Sequence, residues 1–584
     1  KRLPYSFRVV RVRPQTVQVA DGESMPRFYL PCNRLTIAEG RGIVIKVNGS
    51  RSVWHRYLAS SIIILCSTVL LACQQGAESS ESGDFVVGVV GVPPGLDPHH
   101  YLEPAVGVLA RNIYDTLVYR DAETLEFVPG LAESWEISVD GLRYTFRLRQ
   151  GITFHDGTPF NADAVRVSIE RIMSSPLSAG SVADLLGTLD HVEVIAPYEV
   201  ALVLSLPYEP LLDALSQPYL AIMSPAALAE WDDLTYQFHQ VGTGPYRFVE
   251  YAIGEYVVLE RNPQYAWPPP VVANQSFPTV ARILVRFYPD ASHLAEALND
   301  NQVQIAIGLA PEDARASMLD NRAAQLDTLH LPGQPVELFL NAGRAPTSSL
   351  AVRQALLMAL DRQAVAQSVF RGFSSVVHGP ISPTTVYYDP SVAGRFTYDP
   401  VQAAALLNTS SWIDSDGDGW RDDNGVPIEI VLAVESLTPE AQIAQLVKEQ
   451  WESALQVPVT IENVPTHDEL VMLGASGAYH AIAYSESFLD PAKLADWYFS
   501  TATLNLVHHA DSELDGLLLV GQIERNPDSR AMIYSQIQGL IMDQALVIPL
   551  VEQIQIAGSQ PGVTGLHFDP HGAYPYFTDL GLGL

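Results

Sequence analysis

Residues Leu131–Ile172 read LAESWEISVDGLRYTFRLRQGITFHDGTPFNADAVRVSIERI, and this stretch decides the fold. Glu136–Val139 runs into Asp140-Gly141, a hairpin turn signal. Leu142–Leu148 then alternates: Leu142, Tyr144, Phe146 and Leu148 share one face, and Arg143, Thr145, Arg147 and Arg149 the other. Phe154–Pro159 makes a second tight turn. Asn161 or Asp163 then starts a helix whose apolar positions, Val165, Ile169 and Ile172, recur three or four apart. Strand, turn, strand, loop and helix follow within one short segment.

Outward from this segment, strand-like and helix-like stretches intermix. Phe85–Val92, Tyr198–Leu206, Tyr256–Arg261, Ile283–Tyr288 and Val303–Ile307 read as strands, and Ala105–Leu117 and Ala291–Asn299 as helices. This mixing predicts an α/β chain with more than one sheet. No internal repeat interrupts it.

The N-terminal side reads differently. Leu58–Cys73, LASSIIILCSTVLLAC, is an apolar run too short for a comfortable membrane span, which needs about 20 residues. Arg51, His55 and Arg56 precede it, as in a secretory signal. The run ends in Leu70-Leu71-Ala72-Cys73, which resembles a bacterial lipobox, so 53–73 is read as a lipoprotein signal peptide with Cys73 as the lipidated residue. Residues 74–84, polar and rich in Ser, Gly and Glu, read as a flexible tether. Residues 1–52 are basic and aperiodic, and are read as an unassigned extension that need not be translated. The chain has three cysteines, Cys32, Cys66 and Cys73. Cleavage before Cys73 leaves one, occupied by lipid, so stability must come from core burial over a mature length of roughly 510 residues.

Residues 1–73 hold 11 of the 34 Lys/Arg and 3 of the 66 Asp/Glu, which leaves 23 and 63 beyond Cys73. Such an acidic chain repels nucleic acid and anionic membrane surfaces. Exported placement is expected, periplasmic or cell-surface, held to a bacterial membrane through lipid.

The opening segment resembles the signature region of the bacterial extracellular solute-binding proteins, family 5, the peptide/nickel-type receptors of ABC importers. Further blocks carry the resemblance: Gly242–Phe248 with Leu259–Pro263, Leu338–Asn341 with Val352–Leu356 and Ala359–Arg362, and Tyr398–Pro400 leading into Ala403–Leu407. The resemblance implies an α/β periplasmic binding protein-like fold, two lobes with a hinge and an inserted β-rich domain. The implied division is lobe I at 84–125, 240–335 and 545–584, the inserted domain at 126–239, and lobe II at 336–544. The aromatic residues of the opening segment then belong to a core away from the cleft.

Several constellations invite a chemical reading. Asp414, Asp416 and Asp418 before Gly419 fit the first half of a calcium loop, but Gly425 stands where a bidentate Glu is needed, so a structural loop is the expectation and calcium the lesser one. His480, His508, His509 and Asp511 match no structural metal spacing. The chain carries no G-x-S-x-G elbow, H-E-x-x-H pair or phosphate loop, and His155-Asp156 reads as part of a turn. No catalytic residue, metal or cofactor is assigned.

Ligand reading is expected at Tyr479–Trp497, YHAIAYSESFLDPAKLADW. In the peptide-binding relatives a Trp, an Asp three residues on and a D/E-Pro pair occupy this place, and that Asp receives the peptide's α-amino group. Alignment on Asp490-Pro491 puts Tyr484 at the Trp position and Ser487 at the Asp position, so the anchor carboxylate is absent. Glu486 is adjacent; on a strand it faces the other way, on a loop it can reach the cleft. Tyr101, Asn341, Ser382, Tyr484, Glu486, Ser487 and Trp497 are the candidate ligand-binding residues. The reading is a monomeric substrate-binding lipoprotein that captures an oligopeptide-like or other small polar solute by lobe closure and delivers it to ABC permease subunits. A ligand-responsive signalling receptor on the same fold is the alternative, and an enzyme or chaperone a more distant one.

Overall fold

The structure is a computed structural model that describes residues 83–178, 182–319, 325–410, 412–423, 425–436 and 438–583. The extension, the signal segment with Cys73 and the tether up to residue 82 lie outside the described residues.

Among the described residues, three sheets of four or more strands organise the fold. The first has seven strands in the order Gln325–His330, Ile554–Ser559, Ile305–Ile307, Phe85–Val90, Arg282–Tyr288, Tyr256–Arg261, Tyr246–Ala252. Phe85–Val90 lies parallel to Arg282–Tyr288 on one side and to Ile305–Ile307 on the other. Its alternation buries both faces: Val87 and Val89 join one core, Val86 a smaller one with Leu294 and Leu298. Between them Gly88 lets the helix Ala291–Asn299 approach, since a Cβ there would stand 2.4 Å from Leu294 Cδ1.

The opening segment builds the second, four-stranded antiparallel sheet: Ala132–Ile137, Arg143–Leu148, Glu199–Leu204, Leu189–Ala196. The expected hairpin pairs Trp135 with Phe146, and Gly141 takes the positive φ of 72° that its turn requires. Tyr144, Phe146 and Leu148 are buried. The helix spans Ala162–Ser174; Asn161 caps it by accepting from the Asp163 and Ala164 N–H groups, and Val165, Ile169 and Ile172 face the sheet side. The core under this sheet is continuous with that of the first sheet, from Val87 through Phe146 and Val165 to Phe577.

The third sheet runs Val459–Val464, Ile430–Glu435, Ala481–Tyr484, Val336–Leu340, Val547–Val551. Its core is separate and holds Trp451, which sits on the helix Pro439–Leu455 and donates from Nε1 to the Leu356 carbonyl at 2.9 Å.

Two details correct the sequence reading. Val547–Val551 hydrogen-bonds to Val336–Leu340, so the chain returns to the first sheet at Ile554 rather than at residue 545. The helix expected over Ala105–Leu117 spans Pro104–Ile113. It ends because Asp115 is fixed in the interior by four donors: Tyr119 Oη at 2.8 Å, Thr243 Oγ1 at 2.8 Å, Tyr265 Oη at 3.0 Å and Trp267 Nε1 at 3.0 Å.

The chain passes between the first and third sheets twice, from His330 to Val336 and from Val551 to Ile554. Gly333 stands in the first crossing with φ 105°, and a Cβ on it would lie 2.5 Å from the Phe488 backbone nitrogen. Gly333→Ala is therefore expected to lower stability by about 1–3 kcal/mol through backbone strain and overpacking; a thermal melting midpoint equal to the wild type would contradict this.

Candidate functional site

In an open α/β sheet, ligands bind beyond the carboxyl ends of the parallel strands, because the loops there converge while the strands themselves are covered. Ile430–Glu435 is parallel to Val459–Val464 and to Ala481–Tyr484, so all three end at one edge of the third sheet. The residues at or just past that edge are Glu435 and Glu440, His467 and Asp468, and Tyr484–Ser487.

These side chains form a connected rim. His467 Nδ1 lies 3.6 Å from Glu435 Oε2, and its ring is 5.4 Å from that of Tyr484. Ser485 Oγ donates to Glu440 Oε1 at 3.2 Å. Tyr484 Oη donates to Glu486 Oε2 at 3.1 Å, and Lys493 Nζ stands 3.1 Å from Glu486 Oε1 and 2.9 Å from Asp496. Trp497, fully buried, packs against Tyr484 and Phe488 at ring distances of 6.1 and 5.6 Å. Burial holds the Glu435 carboxyl above its ordinary range, with Glu440 adding to it and His467 opposing. Burial would lower the Lys493 ammonium pKa, but Glu486 and Asp496 prevail and raise it.

The facing wall comes from the first sheet. Its central strand ends at Val90, and the loop that follows carries Tyr101 and Glu103. This loop is tied to the signature helix: Arg171 binds Asp97 in a forked pair at 2.6 and 3.2 Å, and burial of Asp97 is outweighed by Arg171, which holds its pKa low. Gly95 lies against the Tyr101 ring, where a Cβ would come within 2.3 Å of Cε2. Glu103 Oε2 is buried with no hydrogen-bond partner; burial raises its pKa, and Asp468 across the gap raises it further. The two walls touch where Ser487 Oγ donates to the His571 carbonyl at 2.9 Å. His571 itself belongs to a buried cluster with Asp213 (Nε2 to Oδ1, 3.2 Å) and Asp569, beside the Arg111–Asp569 and Arg120–Asp213 pairs.

The candidate residues therefore separate. Tyr484, Glu486, Ser487 and Trp497 come together at the strand ends, and Tyr101 lies on the facing loop. The strand ends at Tyr484, so Glu486 sits on a loop and its carboxylate is engaged by Lys493 and Tyr484. Asn341 is buried, with Nδ2 donating to the Gly477 and Tyr479 carbonyls and Oδ1 accepting from Gly343 N, so its amide closes a loop. Ser382 is buried beside Gly333, and its hydroxyl makes no hydrogen bond. Glu103, His467 and Lys493 were not among the candidate residues; Lys493 lies within the Tyr479–Trp497 stretch beside Asp490-Pro491, and no sequence signal marks Glu103 or His467.

The acidic loop also differs from its expectation. Asp422, not Asp418, converges with Asp414 and Asp416. The carboxylates are used within the loop: Asp414 accepts from Gly417 and Gly419 N–H groups, Asp418 from Trp420, and Asp422 from Ser415 and Gly425. This is self-capping turn chemistry. The histidines also part: His480 Nδ1 accepts from Val431 N, while His508 Nε2 meets the Gly474 carbonyl.

Two lobes with separate cores, two crossings between them and converging strand-end loops define a receptor of the two-lobed binding-protein class. The family of bacterial extracellular solute-binding proteins, family 5 (middle region), matches residues 126–505, and the chain belongs to it. The glutathione-binding protein GsiB of Shigella dysenteriae serotype 1 is 26% identical over 84% of this chain and 93% of its own length. Among solved structures, NikA from Brucella suis in complex with Fe(III)-EDTA superposes with a TM-score of 0.75 at 22% identity, covering 85% of this chain and all (100%) of that one. The oligopeptide-binding protein AppA from Bacillus subtilis, in complex with a nonapeptide, gives 0.71 at 23% identity, covering 86% and 99%.

One buried acid at this edge titrates against the fold. Glu337 is register partner to Tyr484, wholly buried, with Oε1 accepting from Gln334 Nε2 at 3.3 Å and Oε2 unpaired. Burial raises its pKa well above the ordinary 4.5. The fold thus holds the proton more tightly than the unfolded chain, so this contribution to stability is full below pH 4.5 and is lost as pH rises. Glu337→Gln is expected to melt close to the wild type in acid and higher than it at alkaline pH; a gap that does not widen with pH would contradict this.

Proposed function

We propose that this chain is the substrate-binding component of an ABC importer, a monomer tethered through Cys73, which encloses a small polar, peptide-like solute between its lobes and presents the closed form to permease subunits. The observation that carries the reading is that two sets of strand-end loops, Tyr101–Glu103 and Glu435–Ser487, face each other across a double crossing, with Asp468 raising the Glu103 pKa and the walls touching at Ser487 and His571. Solute contacts to both walls stabilise closure, and a partner can distinguish the closed state. The chemistry is binding alone. Relatives named for glutathione and for peptide or metal-chelate complexes support a polar solute of this size class.

Charge narrows the solute. Glu103, Glu435, Glu440, Asp468 and Glu486 stand on the rim, against Lys493 and His467. Lys493 already pairs with Glu486 and Asp496, so the uncompensated charge is negative. A solute bearing an ammonium or guanidinium group on a side chain complements this rim, whereas Ser487 offers no carboxylate to an α-amine.

Thermal unfolding of the soluble part with Lys- or Arg-containing tripeptides, an acidic tripeptide and glutathione tests this. Cationic tripeptides are expected to raise the melting midpoint, with roughly 2.7 kcal/mol of stabilisation at a hundredfold excess over Kd. Stabilisation by the acidic tripeptide or glutathione but by no cationic one would overturn the charge argument.

A further inference from the structure

The hairpin turn of the opening segment meets the far lobe. Arg525 lies between the helices Ser512–Ile523 and Pro527–Asp543 of the second lobe. Its Nη1 donates to the Ser138 carbonyl at 2.8 Å and approaches the Val139 carbonyl at 3.4 Å. Its Cδ would sit 3.6 Å from a Cβ on Gly141. A second strand of contact comes from the Tyr208-Glu209 loop. Glu209 N donates to the Gln522 carbonyl at 2.9 Å, one of the last carbonyls of a helix, which have no partner within it. Glu209 Oε2 stands 3.8 Å from Arg525 Nε.

These contacts join two bodies with separate cores. Ser138, Gly141 and Glu209 belong to the unit continuous with the first sheet, and Gln522 and Arg525 to the unit built on the third. The rim residues at the strand ends take no part in them. Rotation about the two crossings separates the partners.

We propose that the inserted unit is a clasp: the Ser138–Gly141 turn holds Arg525 and the Glu209 backbone N–H holds the Gln522 carbonyl of the second lobe in the closed state, so closure is set in part by residues remote from the solute. The proposal rests on the reading of the protein as a closing receptor. Its sign with pH follows from the surroundings of Glu209. Arg530, Arg525, Asp490 and Glu524 face it from the second lobe, and Tyr144 from its own unit. Arg530 is fixed there by a forked pair with Asp490, 2.7 Å on each side. Burial pushes the Glu209 carboxyl up to about 7 against the pull of Arg530 and Arg525, from an ordinary 4.5. Burial is the largest influence on this carboxyl and outweighs the pull of both arginines, and opening returns water to it, so the closed state holds the proton more tightly. Closing takes up a proton between these values, and the clasp tightens as pH falls.

The test is small-angle scattering of the solute-free protein at about pH 5 and about pH 8, for wild type, Arg525→Ala and Glu209→Gln. The wild type is expected to be more compact in acid, with a closed-to-open ratio changing by up to several tens of fold, the factor set by a carboxyl that titrates at about 7 when closed and at its ordinary 4.5 when open. Arg525→Ala is expected to be more open than wild type at both pH values, and Glu209→Gln to lose the pH dependence while keeping the same helical circular dichroism. Identical scattering from all three proteins, or an unchanged pH dependence in Glu209→Gln, would overturn the clasp. Because no solute is added, this outcome is independent of whether the cationic-solute reading holds.

Discussion

The arrangement depends on the pair of crossings that carry the chain between its two main sheets. They are bound to each other: Leu331 N donates to the Gln553 carbonyl at 2.9 Å, and Gln553 Nε2 returns to the Gln334 carbonyl at 2.6 Å. His330 Nδ1 meets Glu552 Oε2 at 2.9 Å beside them. This connection also fixes the site. Gln334 N donates to the Glu486 carbonyl at 3.0 Å, and Gly333 pairs with Ser487, so the loop that meets the facing wall is laid directly on the first crossing.

On either side of that connection each body encloses charge within an apolar core. The second lobe has an apolar interior around Trp451, Phe339 and Ile482, and it encloses the Arg530–Asp490 pair and the wholly buried Glu337. The first lobe and inserted unit share an apolar core but also enclose charge: Arg111 with Asp569, Arg120 with Asp213, and His571 reaching both acids. Such a network is costly to dismantle, because removing one member leaves its partners buried without compensation. Its position matters for function. Asp213 and Ser216 come from the inserted unit and Asp569 and His571 from the C-terminal segment, so the network locks the unit to its lobe and presents the His571 carbonyl to Ser487.

Much of this was legible in the sequence where local rules act alone. The Asp140-Gly141 turn, the Tyr144–Leu148 alternation and the Asn161-capped helix depend on turn chemistry and periodicity, and they fold as read. The early end of the helix at Ile113 was not legible, since it follows from four donors to Asp115 drawn from residues as distant as Trp267. The resemblance placed the chain from residue 545 onward in lobe I, whereas Val547–Val551 pairs with Val336–Leu340, a partner that an apolar run does not state. Around the candidate site, Tyr484 and Ser487 were singled out through the resemblance at Asp490-Pro491, and Trp497 as an aromatic. Glu103 and Asp468 were not, because their relation exists only once two lobes face each other. The Asn341 amide bonds to the Gly477 and Tyr479 carbonyls and the Gly343 N–H, partners that the sequence does not show.

The central claim is that solute binding closes two rigid bodies about the double crossing. Small-angle scattering of the soluble part with and without a stabilising cationic tripeptide measures this most directly. The account predicts a smaller radius of gyration and a shorter maximum dimension with the peptide bound, without change in helical content. Saturating binding that leaves the scattering curve unchanged from an open, solute-free form would contradict it.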